Sequence, residues 1–232
     1  MAHIVGLIGG MSWESSAHYY RLINEQVRAT LGGLHSGRIL LWSFDFAEIE
    51  ALQHAGDWDS ATQRMIDAAQ RLQGAGATAI VICTNTMHRM ADAVQAAIAI
   101  PLLHIADPTA EAIKGAGLLR IGLLGTAFTM EHDFYRGRLT QAHGLEVLVP
   151  DAEDRAAVHR IIYEELVQGQ VLPASRETYR AVMQRLADRG AQGIILGCTE
   201  IMLLVGAQDA PVPVFDTTTL HAQAAGQHLL AG

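Results

Sequence analysis

Short apolar runs alternate with longer amphipathic stretches along this chain. The apolar runs predict strands over residues 4–9, 38–44, 78–83, 100–105, 120–125, 145–150, 193–198 and 212–216. The amphipathic stretches predict helices over residues 13–31, 58–75, 86–98, 108–116, 130–143, 152–168, 174–189 and 217–230. Most of these strands are apolar throughout instead of at every second position, which is typical of parallel sheets covered by helices on both faces. The predicted fold class is therefore α/β.

The two halves of the chain resemble each other. The segment "IVGLIGGMSWESSAHYYRLI" at 4–23 is similar to "RIGLLGTAFTMEHDFYRGRL" at 120–139. Farther along, "GATAIVICTNTM" at 76–87 is similar to "GAQGIILGCTEIM" at 190–202. Matches that keep their order and nearly their spacing indicate an internal duplication. We therefore expect two similar domains, each a small parallel sheet flanked by helices.

The domain boundaries follow from this repeat. Residues 1–105 together with 212–232 are predicted to form the first α/β domain, and residues 106–211 the second. Ligands of open parallel sheets bind at the carboxyl ends of the strands. The predicted active site is accordingly a cleft between the two domains.

Composition and charge exclude several classes of protein. Of the 232 residues, 50% are hydrophobic and 17% are charged, which is typical of a globular protein with a packed core. The formal net charge of −8, without a basic cluster, gives no footprint for nucleic acid or for an anionic membrane surface. The sequence has no apolar run of membrane-spanning length and no signal-peptide pattern at "MAHIVGLIGG", so we expect a cytoplasmic protein.

The only two cysteines of the chain, Cys83 and Cys198, end equivalent strands of the two halves. Each is followed by a threonine and a second polar residue. Four interpretations are open: inert buried cysteines, a disulfide, a metal site, and catalytic thiols. A single acyl-transfer nucleophile with His88 or His104 as its base is one catalytic form, although it leaves the other cysteine unexplained.

A pair of thiols suits a second catalytic form, in which one removes a proton from a carbon and the other returns a proton to the opposite face. This two-base reaction inverts a stereocentre, and a duplicated fold supplies the pseudo-symmetric pocket it needs. Donors aimed at the substrate carboxylate must stabilise the carbanion-like transition state. Candidate donors are Thr84, Asn85 and the strand-end loops at 9–12 and 125–129.

The motifs "GLIGGMSWES", "CTNTMH", "LLGT", "FYRGRL" and "GCTEI" together resemble the aspartate/glutamate racemase superfamily, from residue 4 to about 219. The resemblance implies two Rossmann-like domains in pseudo-twofold relation and racemisation of an amino acid, a small-molecule substrate, without pyridoxal phosphate, metal or other cofactor. It implies that Cys83 and Cys198 are the catalytic bases. The substrate-binding residues it implies are Met11, Ser12, Thr84, Asn85, Thr126 and Thr199. Family members are often dimers, so a homodimer is one assembly that the resemblance allows.

The chain departs from the aspartate-specific members of the superfamily at two places. Those members resemble each other in an arginine after the second strand and a lysine in a later segment, both of which hold the substrate's side-chain carboxylate. Here the first segment reads "FDFAEIEAL", and Val167 occupies the lysine position in "EELVQG". An unpaired carboxylate is costly to desolvate. We therefore expect a neutral or polar amino acid and broad specificity. Aspartate or glutamate racemisation, and decarboxylation or isomerisation of a related acid, stay open as alternatives, as does a binding protein without catalysis.

Overall fold

The computed structural model describes residues 2–232, which form two compact units. The first unit extends to Ile105 and also contains His221–Gly232, whereas the second comprises Ala106–Leu220. Each unit is built on a four-stranded parallel sheet flanked by helices, which confirms the predicted α/β fold class.

The first unit has its sheet in the order β2-β1-β3-β4. The strands are β1 (Val5–Gly9), β2 (Ile39–Ser43), β3 (Ala79–Ile82) and β4 (Leu102–Leu103). The helices are α1 (Trp13–Leu31), α2 (Phe46–Ala55), α3 (Trp58–Gly74) and α4 (Ala91–Ala96), and a 3-10 helix (Thr86–Met90) precedes α4. All pairings are parallel, with Val5 opposite both Ile39 and Ala79. The strand order reverses between β1 and β3, so the switch point lies at their carboxyl ends.

The second unit repeats this arrangement with the order β6-β5-β7-β8. The strands are β5 (Arg120–Gly125), β6 (Glu146–Leu148), β7 (Ile194–Gly197) and β8 (Val214–Asp216). The helices are α5 (Ala106–Gly115), α6 (Ala127–Glu131), α7 (Asp133–Gln141), α8 (Ala152–Glu164), α9 (Pro173–Asp188) and α10 (Ile201–Leu204), and 3-10 helices cover Leu166–Gln168 and Ala207–Asp209. The last helix, α11 (Thr217–Leu230), begins in this unit and belongs to the first unit from His221 onward. The equivalent switch point lies between β5 and β7. Two sheets of identical order are what an internal duplication predicts.

Alternating residues of the central strands of the first unit fill two hydrophobic clusters. Ile80 and Ile82 pack into one of them together with Met65 of α3. Val81 and Cys83 pack into the other, with side chains from α1 and α11. Because successive side chains of a strand point to opposite faces, the pattern of β3 places the thiol of Cys83 on the α1 face of the sheet.

A single large cluster of the second unit covers the α8 and α9 side of its sheet. Ile194 and Leu196 of β7 lie in it together with Cys198. The i, i+2, i+4 spacing of these three residues continues the period of the strand past its end. Cys198 therefore forms the end of a packed row instead of the tip of a mobile loop.

The predicted boundary at residues 211/212 is wrong. The second change of unit falls between Leu220 and His221, inside α11. Residues 212–220 belong to the second unit because β8 pairs with β7, placing Phe215 opposite Ile195. The apolar run predicts a strand over residues 212–216 but does not indicate the sheet in which this strand pairs.

The predicted helices also differ from the structure in detail. Helix α2 falls in a segment for which no helix is predicted, and the Asp45 side chain caps it by accepting from the Ala47 amide at 3.1 Å. The predicted helix over 130–143 is divided into α6 and α7, with His132 in extended conformation between them. Within residues 2–232, no helix combines the length and the apolar character needed to cross a membrane.

Candidate active site

The loop after β1 in the first unit is held by small residues. Gly10 has a positive φ of 82°, and a Cβ there would collide with the Phe44 carbonyl oxygen, so only glycine fits. Its amide donates to the Ser16 hydroxyl at 2.8 Å. Ser12 is the N-cap of α1, accepting from the Ser15 amide at 3.4 Å. The buried Met11 lies between them in this loop and packs against the core.

Cys83 follows β3 directly, beside this loop. Its amide donates to the Ile8 carbonyl at 2.9 Å, and the Ser15 hydroxyl donates to the Cys83 carbonyl at 3.4 Å. The side chain is fully buried, and this burial raises the pKa of the Cys83 thiol well above its ordinary value. A thiolate formed here would be a strong base.

His88 holds the segment that follows Cys83. Its Nδ1 lies 2.7 Å from the Thr84 carbonyl oxygen, and its Nε2 lies 3.1 Å from the Ile105 amide. Because a carbonyl only accepts and an amide only donates, the ring is the neutral tautomer with its proton on Nδ1. Both ring nitrogens are thereby engaged with the backbone. This geometry speaks against His88 as the base of an acyl-transfer nucleophile and makes it a clamp on the Cys83 loop.

Residues of the second unit occupy the equivalent strand ends. Thr126 follows β5 and caps α6, accepting from the Thr129 amide at 3.3 Å. Ala127, the first residue of α6, donates its amide to His159 Nδ1 at 3.2 Å. Thr126 is buried, and its hydroxyl points to the amides that open the helix. The amides of Ala127 and Thr129 are thus engaged within the protein, and these bonds fix the place of Thr126 at the end of β5.

Cys198 follows β7 and has a carboxylate neighbour. The Cys198 thiol donates to Glu200 Oε2 at 3.0 Å, and the Thr199 hydroxyl donates to the same oxygen at 2.8 Å. All three residues are buried. Burial, followed by the charge of Glu200 and its hydrogen bond to the thiol, raises the pKa of Cys198 well above its ordinary value. The thiol form is thus favoured.

The structure brings the predicted site residues together in two sets, one in each unit. Met11, Ser12, Cys83, Thr84 and Asn85 lie at the carboxyl ends of β1 and β3. In the second unit, Thr126, Cys198 and Thr199 lie at the carboxyl ends of β5 and β7. Both sets thus stand at the switch points of their sheets, where open parallel sheets bind ligands.

Sequence reasoning missed the roles of Glu200 and His88. Glu200 was visible only as a polar residue two positions after a cysteine, a spacing that brings its side chain back to the thiol. His88 stands at the i+4 position from Thr84, which is the reach of a side chain to a backbone carbonyl across one helical turn. Polar residues at these spacings are also common on exposed surfaces, so neither spacing reveals the buried contact from the sequence alone.

A disulfide and a metal site are two further interpretations of the cysteines. Both cysteines are free thiols. Across residues 2–232, the histidine, cysteine, aspartate and glutamate side chains form no group of three suited to a metal ion.

Side chains of the two segments that depart from the aspartate-specific pattern form ion pairs or apolar contacts with neighbouring residues. Glu48 of α2 pairs with Arg64 of α3 at 3.1 Å, and Glu50 pairs with His54 at 3.1 Å. Val167 lies in the 3-10 helix after α8 and packs, partly buried, against the core of the second unit.

These features define an α/β protein with two repeated parallel sheets, each with a buried free thiol directly after the strand at its switch point. The sequence model of the Asp/Glu/hydantoin racemase family matches residues 8–225, and the chain belongs to this family. The relation indicates an isomerase of the racemase type.

Individual relatives agree with this assignment. The chain is 25% identical over 178 residues to the broad specificity amino-acid racemase RacX of Bacillus subtilis, covering 75% of each chain. It is 60% identical to the crystal structure of a candidate Asp/Glu racemase from Yersinia pestis, with a TM-score of 0.93 and coverage of 98% of this chain and 99% of the other. An aspartate racemase homologue from Pyrococcus horikoshii is 34% identical, with a TM-score of 0.85 and coverage of 99% and 100%.

Proposed function

We propose that this protein is a cofactor-independent amino-acid racemase in which Cys83 and Cys198 act as the two bases at Cα. One observation carries the proposal: each unit has a buried free thiol directly after the strand at its switch point. Two equivalent thiols in a duplicated fold can supply the two acid/base groups that inversion of a stereocentre needs. Membership of the racemase family supports the same conclusion.

In the proposed reaction, one cysteine thiolate removes the Cα proton and the other cysteine thiol delivers its proton to the opposite face. The Cα proton of an amino acid is far less acidic than a thiol, so a strongly basic thiolate is an advantage. Burial supplies that basicity, because it raises the pKa of both thiols. Neither pyridoxal phosphate nor a metal takes part in this scheme.

The proposed scheme also needs donors for the substrate carboxylate, since charge moves into it as the Cα proton leaves. We assign this role to Thr84 and Asn85 in the first unit and to Thr126 in the second, whereas Thr199, whose hydroxyl donates to Glu200 Oε2, is proposed only to line the substrate site. Met11 and Ser12 are proposed to contribute from the loop that opens α1. What supports this assignment is that all six residues lie at the ends of the central strands.

The proposed substrate is a neutral or polar amino acid, with broad tolerance. Val167 stands where the resemblance implies a lysine, and the segment after β2 offers the acidic Glu48 and Glu50 instead of an arginine. A second substrate carboxylate would thus lack the cations that offset its desolvation. The similarity to a broad specificity racemase of Bacillus subtilis agrees with this choice.

Aspartate or glutamate is the second candidate substrate. The observation in its favour is the likeness to the Yersinia pestis and Pyrococcus horikoshii structures, which are described as an Asp/Glu racemase candidate and an aspartate racemase homologue. On this alternative, a cation from outside the two departing segments would hold the side-chain carboxylate.

Incubation of the protein with single L-amino acids in deuterated water tests the proposal. The panel includes homoserine, aspartate and glutamate, and chiral chromatography coupled to mass spectrometry is the measurement. We expect the D-product to carry deuterium at Cα without loss of carbon dioxide. Release of carbon dioxide would instead indicate a decarboxylase, and retained binding without Cα exchange on any member of the panel would indicate a binding protein.

A further inference from the structure

The carboxylate of Glu200 distinguishes the two cysteines. Its Oε2 accepts hydrogen bonds from both the Cys198 thiol and the Thr199 hydroxyl, at 3.0 and 2.8 Å. Glu200 is only 6% exposed and Cys198 is 8% exposed, so little water screens the charge from the sulfur. A thiolate at Cys198 would therefore stand beside a second negative charge.

The surroundings of Cys83 are different. Its thiol packs among apolar side chains such as Leu7 and Val81. Burial is the cause of its raised pKa. Ionisation of Cys83 thus meets the cost of desolvation, whereas ionisation of Cys198 meets that cost and the repulsion of a carboxylate.

We propose that Glu200 is a positioning residue that keeps Cys198 as the protonated thiol, so that Cys83 is the first of the two cysteines to ionise and serves as the base that begins the cycle. This inference takes its catalytic meaning from the proposed function, but its test does not depend on turnover. It deepens the two-base scheme by assigning a protonation state to each cysteine.

The protons and charges of the cycle balance on this assignment. The Cα–H bond breaks and its proton goes to the Cys83 thiolate, while the Cys198 S–H bond breaks and its proton goes to the opposite face of Cα. One negative charge thus moves from Cys83 to Cys198. The product form places a thiolate beside Glu200, and the repulsion makes this thiolate the stronger base. The enzyme is therefore biased to return to the form in which Cys83 is the base.

The other titratable groups near the pair fit this scheme. The pKa of Tyr179 on α9 is raised by burial first, and then by the negative charges of Cys198, Glu165 and Glu200. It stays a neutral phenol and donates to the Val158 carbonyl at 3.3 Å. Glu165 has partners of its own, since it accepts from the Ser175 hydroxyl and lies 3.5 Å from Arg160.

Alkylation by iodoacetamide tests the inference, because the thiolate is the reactive species. The rate at each cysteine is measured against pH by mass spectrometry of the two peptides. Burial lowers the plateau rate but leaves the midpoint as a measure of ionisation. In the unmodified protein we expect the midpoint of Cys198 to lie at higher pH than that of Cys83. In Glu200→Gln, the Cys198 midpoint should move to lower pH while the Cys83 midpoint stays in place.

Glu165→Gln is the matched control, since it removes a buried carboxylate of the same unit that does not contact Cys198. It should leave the Cys198 midpoint nearly unchanged. The inference is overturned if Cys198 ionises at lower pH than Cys83, or if Glu200→Gln leaves the Cys198 midpoint in place. The order of the midpoints in the unmodified protein decides the matter even if the variant does not fold. The predicted order combined with no racemisation would overturn the proposed function while the role of Glu200 stands.

Discussion

At the scale of single residues, the chemistry of this protein depends on what surrounds each polar group. Cys83 and Cys198 share a residue type and a place after a strand, yet only Cys198 faces a carboxylate. His88 lies close to a cysteine in sequence, but its ring is committed to two backbone groups. Residue type and spacing were enough to single out the cysteines, whereas their protonation depends on contacts that the sequence alone does not reveal.

Val167 provides a residue-scale test of the substrate. Val167 is only partly buried and stands where the resemblance implies a lysine, so Val167→Lys supplies the missing cation and should favour aspartate. We expect the ratio of kcat/KM for aspartate to that for homoserine to rise roughly tenfold, the equivalent of about 1.4 kcal/mol. The chiral assay over both substrates is the measurement. Val167→Gln is the control of similar length without charge, and an equal rise in that variant would contradict the explanation.

At the scale of elements, the ends of the central strands are set by close backbone contacts. Gly125 and Gly197 lie opposite each other in the pairing of β5 and β7. A Cβ on Gly197 would come within 2.7 Å of the Leu124 carbonyl oxygen, and one on Gly125 within 2.9 Å of the Gly197 carbonyl oxygen. The glycines let the two strands converge directly before Thr126 and Cys198.

Gly197→Ala should therefore destabilise the protein and displace the loop of Cys198. Overpacking of this kind costs about 1–3 kcal/mol, because the contact is with backbone that cannot rotate away. Thermal or urea unfolding measures the loss. Gly115→Ala in the same unit is the matched control, since a Cβ there meets nothing within 4 Å. Equal stability of the two variants would show that the close approach of β5 and β7 does not exclude a side chain at position 197.

A second element-scale contact joins α5 to α7. Arg138 donates two hydrogen bonds of 2.7 Å to the Asp107 carboxylate, and His143 lies 2.9 Å from it. Burial opposes the ionised form of Asp107, but the hydrogen bonds from Arg138 and His143 outweigh it and lower the pKa. A lowered pKa means that the contribution to stability is present above the ordinary carboxyl pKa of about 3.9 and is lost as pH falls through the folded value.

Asp107→Asn should accordingly lower the free energy of unfolding at neutral pH by about 1–2 kcal/mol. The difference from the unmodified protein should shrink as pH falls below about 4 and should largely disappear below the lowered folded pKa, where Asp107 is protonated in both states. Unfolding curves over this range are the measurement. Asp133→Asn on α7 removes an exposed ion pair with Arg136 and should change little. A difference in the free energy of unfolding that stays constant across this pH range would contradict the stabilising role of ionised Asp107.

At the scale of the whole molecule, the α/β fold was predictable because nearly every strand is an apolar run and the runs repeat. The repeat between the two halves also predicted that Cys83 and Cys198 follow equivalent strands. The second boundary was not predictable, because β8 is only three residues long and its partner is chosen by pairing with β7. Helix α2 was not predictable because it is short and buries only Ile49 and Gln53, so its sequence lacks the apolar stripe of an amphipathic helix.

The places of the candidate site residues were also predictable from the sequence, but not all of their contacts were. The duplication explains why residues from both halves stand at equivalent strand ends. Glu200 escaped prediction because an acidic residue after a strand is usually a solvated one. Its burial beside Cys198 is a tertiary property, produced by packing of the β7 end.

The central claim is that Cys83 and Cys198 both act as bases in a single inversion at Cα. Substitution of each cysteine alone tests this claim most directly. Cys83→Ala and Cys198→Ala are each assayed by chiral chromatography on the best amino acid of the panel, with Val94→Ala as a control for trimming a buried side chain. Because each cysteine serves one face of Cα, we expect racemisation to fall in each cysteine variant by at least about 100-fold, the lower range of a general acid–base contribution. Folding is verified by thermal unfolding, and Val94→Ala should retain most of its activity. Full racemisation in either folded cysteine variant would contradict the two-base account.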